Sequence, residues 1–480
     1  MKSVKLNFIF SSLKGLMSVL FPIISFPYIS RILGVSKLGQ VEYCQSIISY
    51  FALFAALGIA LYAVREGAKL RDDQKKLNQF CREILTINLI STAIVYIALF
   101  LFMLWPSMQP YHVLLLVCSL TIILTTLSIE WLYQIVEDYM YISVRSVIVQ
   151  LLALISMFLF VKDENDYIIY ALIYVLSTGG AFIFNLLHAK KYVNLFDKTE
   201  IKIKRHLKPI FIIFGIAIAS SIYLNMDKVM LGAMKGDYSV GLYSAAVKIN
   251  TIVKTLISSI SLVVMPRLSS YLAIGNQKQY NSLLKKGINF NMVLSIPAAT
   301  GMILLSKELI ILFSGEAYAS ASFASIILSA NIFFSAIDGL FYYQILLPYG
   351  REKQACLGTS LGAIVNTVLN FVLIPFFGIE GAAIATIISE IIVFSYFIYI
   401  LKELLDLKYL FSDLKKIIIA TLLFVPFVLI ISLIIKNNLI KLAISCIIAV
   451  VIYFIALLYM KFDLAKELVN DGLKIVKRFK

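Results

Sequence analysis

Apolar runs long enough to cross a lipid bilayer recur from one end of this chain to the other, and no other feature constrains its fold as much. A spanning helix needs about 20 mostly apolar residues. By that measure the sequence predicts fourteen segments, at 7–32, 40–63, 82–105, 111–134, 141–161, 167–188, 208–232, 240–265, 287–313, 320–347, 355–378, 380–401, 416–435 and 439–460. Backbone polar groups inside hydrocarbon must be satisfied within the protein, and a helix does this without a partner strand. The expected fold is therefore an all-α polytopic membrane protein. Composition agrees: 61% of residues are hydrophobic, 15% are charged and the mean hydropathy is +0.91. Soluble domains run at roughly 45–50% apolar and about 25% charged. A soluble enzyme, a secreted disulfide scaffold and a nucleic-acid binder are excluded. The first segment is too long for a cleavable signal peptide and lacks a small-residue cleavage site.

The net charge of +16 is first a statement about orientation. Lys and Arg concentrate in cytoplasmic loops. With the N-terminus inside, 32 of the 43 basic residues fall on that side and 9 on the other, so both termini are expected in the cytoplasm. There the basic loops also meet anionic membrane lipids. No polar gap exceeds about 20 residues, the scale of a single span, which leaves no room for a catalytic domain outside the membrane. The longest gap, 189–207, divides the chain into a lobe at 1–188 and a second at 208–401, followed by two helices and a basic tail at 402–480. A weak internal echo accompanies this division: Arg31 to Gly34, Gly39 and Tyr43 recur as Asp227 to Gly232, Gly241 and Tyr243. Duplicated halves are common in secondary transporters. The five cysteines sit in or beside apolar stretches at no ligand spacing and read as small hydrophobes.

A charge held at the bilayer centre costs roughly 2.5–3.5 kcal/mol on insertion scales, so each is a candidate functional site. Lys14 lies a third of the way into the first segment, with Arg31 at its end. Lys254 is central in the eighth, with Lys248 nearer its outer end. Glu130 adjoins Trp131 in the fourth, Asp227 and Lys228 lie near the end of the seventh, Asp338 is in the tenth and Glu390 is central in the twelfth. Each has a bland alternative. Lys14, Arg31 and Lys248 can snorkel to an interface, Glu130 with Trp131 can anchor there, Asp227 with Lys228 can form a local ion pair, and Asp338 can bond a neighbouring helix. Lys254 is too deep for easy snorkelling.

Two segments joined by the Gly378–Gly381 turn carry a sharper pattern. Asn366 and Asn370 are spaced i, i+4, and Ala382, Thr386 and Glu390 form an i, i+4, i+8 stripe, each on one helix face. Converging oxygens suit a hard cation; the competing reading is interhelical hydrogen bonding. Pro22, Pro27, Pro297, Gly301 and Pro375 are candidate kinks.

The stretch Phe26-Pro-Tyr-Ile-Ser-Arg-Ile-Leu-Gly34, with Gly58 and Val64-Arg-Glu66, resembles the start of bacterial polysaccharide flippases (O-antigen or capsule repeat-unit transporters). These belong to the multidrug/oligosaccharidyl-lipid/polysaccharide exporter superfamily. Asn225 to Gly232, Gly241 to Ser244, Met265-Pro-Arg267 and Gly378 to Ala383 are similar to its later signatures. The resemblance implies two six-helix lobes around a central cavity plus two C-terminal helices, in a bacterial inner membrane. It implies no enzyme activity, but the flipping of undecaprenyl-pyrophosphate-linked oligosaccharides, with a polysaccharide polymerase and chain-length proteins as partners. On that reading Lys14, Arg31, Lys248 and Lys254, with Glu130, would contact the anionic headgroup. By similarity to lipid II flippases, a sodium site would use Asp227, Asn366, Asn370, the Ala382 carbonyl and Thr386. Asn370 stands where that pattern has a second carboxylate, so Glu390 is expected to supply the charge, for sodium or for a proton. A cation-coupled multidrug exporter shares the implied fold. A membrane-embedded polymerase or ligase would ordinarily carry a large outer loop, which is missing here.

Overall fold

The computed structural model describes residues 4–195 and 201–467. The middle of the connector and the basic tail beyond Glu467 lie outside them. The chain packs as two compact units, Met1–Gly241 and Leu242–Lys480, and among the described residues all regular structure is helical. The first unit holds α1 (Val4–Ala56), α2 (Ile59–Gly67), α3 (Gln74–Met103), α4 (His112–Ser128), α5 (Glu130–Ile135), α6 (Tyr139–Phe160), α7 (Tyr167–Gly179), α8 (Phe182–Ala189) and α9 (Lys204–Lys235). Starting at the boundary, α10 (Asp237–Ala273) leads into α11 (Gln277–Leu304), α12 (Ser306–Ser314), α13 (Ser322–Leu340) and α14 (Glu352–Leu401). The chain continues with α15 (Leu407–Leu410), α16 (Leu414–Ile434) and α17 (Asn438–Tyr459).

Glycines set the crossings. A straight helix of 53 residues would be roughly 80 Å long, against about 30 Å of hydrocarbon. Within α1, Gly34 takes φ 68° and ψ 179°, and α14 breaks at Gly378 with φ 57° and ψ −127°. These are conformations that cost a side-chain-bearing residue more than glycine. At the second break the chain turns back on itself: a Cβ at Gly381 would stand 2.5 Å from the Leu373 carbonyl oxygen. Among the described residues eleven helical stretches are long and apolar enough to cross a membrane. Leu13–Leu70 and Glu352–Leu401 each contain two crossings, and the 32-residue α9 adds one more, which matches the fourteen expected segments. Large apolar side chains such as Phe376, Leu433 and Tyr459 stay exposed, as a lipid-facing surface requires.

Pro22 and Pro27 lie inside the helical first arm of α1, and Pro297 inside α11, which runs on to Leu304. The fourth predicted segment is broken at Ile129, which adopts a left-handed conformation (φ 40°, ψ 38°) and separates α4 from α5. A π-helical turn, Phe341–Leu346, follows α13.

The two echoed segments pack on each other within the first unit. A Cβ at Gly39 would sit 1.9 Å from the Asp237 carbonyl oxygen, one at Gly241 would sit 2.1 Å from the Val35 carbonyl oxygen, and one at Gly232 would enter the Tyr43 ring. The connector's end is latched by Glu83 of α3, which is fully buried. Its carboxylate accepts hydrogen bonds from Arg205 Nη2 at 2.6 Å and the Lys202 amide at 2.8 Å, and lies 2.7 Å from His206 Nε2. Nearby, Tyr192 donates to Asp138 Oδ2 at 2.6 Å; burial first, and then that carboxylate, push the Tyr192 hydroxyl up from its ordinary pKa.

Overpacking costs about 1–3 kcal/mol. Gly39→Ala is therefore expected to lower the melting temperature of the purified protein, whereas Gly15→Ala, with nothing within 4 Å of the new carbon, should leave it level or raise it. Equal melting temperatures for the two variants would contradict the close backbone approach.

Candidate functional site

The break at Ile129 starts α5 on Glu130, and this carboxylate holds two cations from two other helices. Its Oε1 accepts from Lys14 Nζ of α1 at 2.5 Å, and its Oε2 accepts from Arg145 Nη2 of α6 at 3.1 Å. Arg145 is fixed from behind, because Nη1 donates to Asn185 Oδ1 of α8 at 2.6 Å. Asn185 Nδ2 in turn donates to the Ser128 carbonyl at 2.7 Å and to Ser128 Oγ at 2.8 Å, while Tyr133 donates to the Asn185 carbonyl. Lys14 is ion-paired with Glu130, and the neighbouring Trp131 is buried in the core of the unit. Arg145 lies near the start of the predicted segment 141–161 but is not among the candidate charges of the sequence; α6 begins at Tyr139 and carries it inside. Glu130, a membrane carboxylate needing partners, was the available signal.

Arg31 is more exposed, and its Nη1 donates to the Pro27 carbonyl at 2.6 Å, one turn back in α1. Asp227 lies on α9, buried, and its charge reaches the Tyr50 hydroxyl of α1. Lys228 Nζ donates to Glu42 Oε2 of α1 at 2.6 Å; adjacent residues on a helix point about 100° apart, so Asp227 faces another direction.

In the second unit, Lys248 and Lys254 both lie on α10 but six residues apart, roughly 120° around the helix. Lys254 feels the charge of Glu390 on α14, and Glu390 lies beside Asp338 of α13, both carboxyls being buried. Asp338, a candidate charge whose alternative was a bond to a neighbouring helix, thus lies beside Glu390 and close to the π-helical turn.

The i, i+4 residues of α14 do converge. Asn370 Nδ2 donates to Asn366 Oδ1 at 3.0 Å, Asn366 Nδ2 to Thr386 Oγ1 at 3.5 Å, and Thr386 Oγ1 to the Ala382 carbonyl at 3.0 Å. Tyr243, absent from the predicted set, brings its hydroxyl to 3.4 Å from Thr386 Oγ1. One bond, Asn366 to Thr386, joins the two arms as the second reading expected, and the side-chain oxygens of Asn366, Asn370, Thr386 and Tyr243 gather around it. All are neutral, so a cation held there would need a carboxylate from outside the group. Among the described residues no group of three His, Cys, Asp or Glu side chains could hold a metal ion. The second unit also carries a half-open apolar cleft of about 770 Å³ lined by Leu294, Pro297, Phe424, Cys446, Tyr453 and Leu457.

The polysaccharide biosynthesis protein family matches residues 4–272, more than half of the chain. This chain belongs to that family. The MatE family matches residues 211–372. A protein of Escherichia coli (strain K12) named for O-antigen transport is 23% identical over 396 residues, 82% of this chain and 95% of that one. A protein of the same designation from Shigella dysenteriae is 25% identical, covering 78% of this chain and 94% of its own length. The fold is that of a solved lipid II flippase, MurJ, in an inward closed conformation, with a TM-score of 0.78 at 18% identity over 96% of this chain and 99% of that one. The relatives are transporters by name, and none of these three is named as an enzyme.

Breaking a buried ion pair by removing one partner typically costs about 3–5 kcal/mol. Lys228→Ala is expected to destabilise the purified protein on that scale, and Lys228→Met with Glu42→Gln to recover more than half of the loss. Denaturation that is indifferent to Lys228→Ala would show that the pair carries no stability.

Proposed function

We propose that this protein flips oligosaccharide repeat units linked to undecaprenyl pyrophosphate from the cytoplasmic to the outer leaflet of a bacterial inner membrane, for O-antigen or capsule biosynthesis. The observation that carries this reading is a set of cations retained inside the spans of a polysaccharide biosynthesis family member: Lys14, held by Glu130, and Lys254, within reach of Glu390. A pyrophosphate headgroup is multiply negative, and burying it is costly unless cations and hydrogen bonds meet it. Lys14 and Lys254, with Lys248 and Arg31, are the proposed contacts. The prenyl tail can remain in hydrocarbon throughout, so transport needs only that the cationic site face each leaflet in turn. No covalent step is involved. The 32-to-9 asymmetry of basic residues supports cytoplasmic termini, and a polymerase and chain-length proteins are the proposed partners.

Outward movement of an anion runs with the membrane potential. Resetting an empty cationic site moves positive charge, and a coupling ion that binds one state more tightly biases that step. Asp227, Asn366, Asn370, Ala382, Thr386 and Glu390 are the proposed coupling residues, with sodium or a proton as the ion. Since the α14 group is neutral, the carboxylates carry the charge. The match to the MatE family over 211–372 favours one second reading, a cation-coupled drug exporter, although cationic drugs would be repelled by Lys14 and Lys254.

Lys254→Ala at normal protein levels should abolish surface polysaccharide and accumulate lipid-linked repeat units. Full export by the Lys14, Lys248 and Lys254 triple alanine variant would rule out the cationic site, and drug resistance without a polysaccharide defect would favour the second reading. For coupling, reconstituted flipping is measured with sodium varied at fixed pH and with pH varied in its absence. Asp227→Asn and Glu390→Gln should each remove the ion dependence; if both leave it intact, these carboxylates are structural.

A further inference from the structure

The contact between Glu130, Lys14 and Arg145 has a geometry that a salt bridge of purely structural purpose does not require. Each carboxylate oxygen takes one cation, at 2.5 Å and 3.1 Å. The two cations are held differently. Arg145 has only 11% of its side chain exposed and is oriented through Asn185, itself locked to Ser128. The Glu130 and Lys14 side chains are about a third exposed. A carboxylate on the accessible side of two cations occupies the place where two oxygens of a phosphate would sit, since guanidinium and ammonium groups bind both acids in the same way. The triad carries one net positive charge with Glu130 in place and two once it leaves.

We infer that Glu130 is a resident counter-anion which an incoming phosphate group of the lipid headgroup displaces from Lys14 and Arg145, so that Arg145 is a substrate-binding residue and Glu130 sets the charge a ligand needs to enter. This rests on the anionic-lipid reading above. It adds Arg145 to the binding set and assigns Glu130 the role of competitor. A pyrophosphate can exceed the single charge of the carboxylate it replaces. A monophosphate does so by less, and a neutral alcohol not at all. In the empty protein Glu130 also spares the membrane two uncompensated cations.

The test uses the full chain in lipid nanodiscs, titrated calorimetrically with geranyl pyrophosphate, geranyl monophosphate and geraniol, with empty nanodiscs subtracted. Trp131, adjacent to Glu130, is one of two tryptophans, so Trp105→Phe makes its emission a local second readout. The expected results are pyrophosphate binding at least tenfold tighter than monophosphate and no saturable binding of geraniol. Glu130→Gln should tighten both anions several-fold and narrow the gap between them. Arg145→Ala should weaken pyrophosphate more than tenfold, with Arg145→Lys in between. Asn185→Asp, which places a second carboxylate on Arg145, should also weaken it. Wild-type protein that fails to bind geranyl pyrophosphate would overturn the anionic-lipid reading and this inference together. Binding by wild type that Glu130→Gln weakens or leaves unchanged would overturn the exchange alone. If Glu130→Gln does not fold, unchanged affinity in Arg145→Lys and Asn185→Asp would overturn it equally.

Discussion

Everything in this protein depends on the need to satisfy backbone hydrogen bonds where no water is present. A helix meets that demand alone, so every span is helical, and the interest lies where the helices are interrupted. Gly34 and Gly378 turn long helices without a Cβ penalty. Ile129 has no such licence, yet it occupies a left-handed conformation while fully buried. The backbone cost of that break, of order 1–3 kcal/mol, coincides with the start of the residue that gathers Lys14 and Arg145.

The same medium governs the side chains. A charge inside a span is tolerable only with a partner, and several of the described intramembrane charges are grouped accordingly: Lys14 and Arg145 around Glu130, Lys228 on Glu42, Lys254 within the field of Glu390, and Asp338 beside Glu390. Buried ion pairs are weak sources of stability, because desolvation offsets most of their attraction. On the inference drawn above, the pair at Glu130 serves instead through what it exchanges with. A carboxylate bridging two cations can be replaced by a phosphate; a neutral cluster of Asn and Thr gains a charge only from outside. Under the proposed function the first kind of site would take the anionic cargo and the second, with a carboxylate added, the coupling ion.

Glycine has a second use in close packing. Where Gly39 and Gly241 meet, backbone touches backbone, and Gly232 admits the Tyr43 ring. The two echoed sequence segments are therefore complementary surfaces, and close approach is a physical reason for small residues at Gly39, Gly232 and Gly241.

Much of this was legible in the residues. Span number, helical class and the α14 hairpin follow from run length and from a glycine turn, both local properties. The i, i+4 placement of Asn366, Asn370, Ala382 and Thr386 on shared faces follows from helix period alone, and their convergence is a consequence of the tight turn that joins them. Pairing of charges was not legible. Lys228 pairs with Glu42, 186 residues away; Arg145, near the start of a predicted segment, gave no sign of its partner; and Asp338 met Glu390 only because α13 packs on α14. Hydrophobic periodicity specifies that a helix spans the membrane but not which helix it lies against, whereas an ion pair depends on separations of a few ångströms that only packing sets. The sequence by itself determined the helices, their breaks at glycine and the presence of charges needing partners; the tertiary structure decided who those partners are.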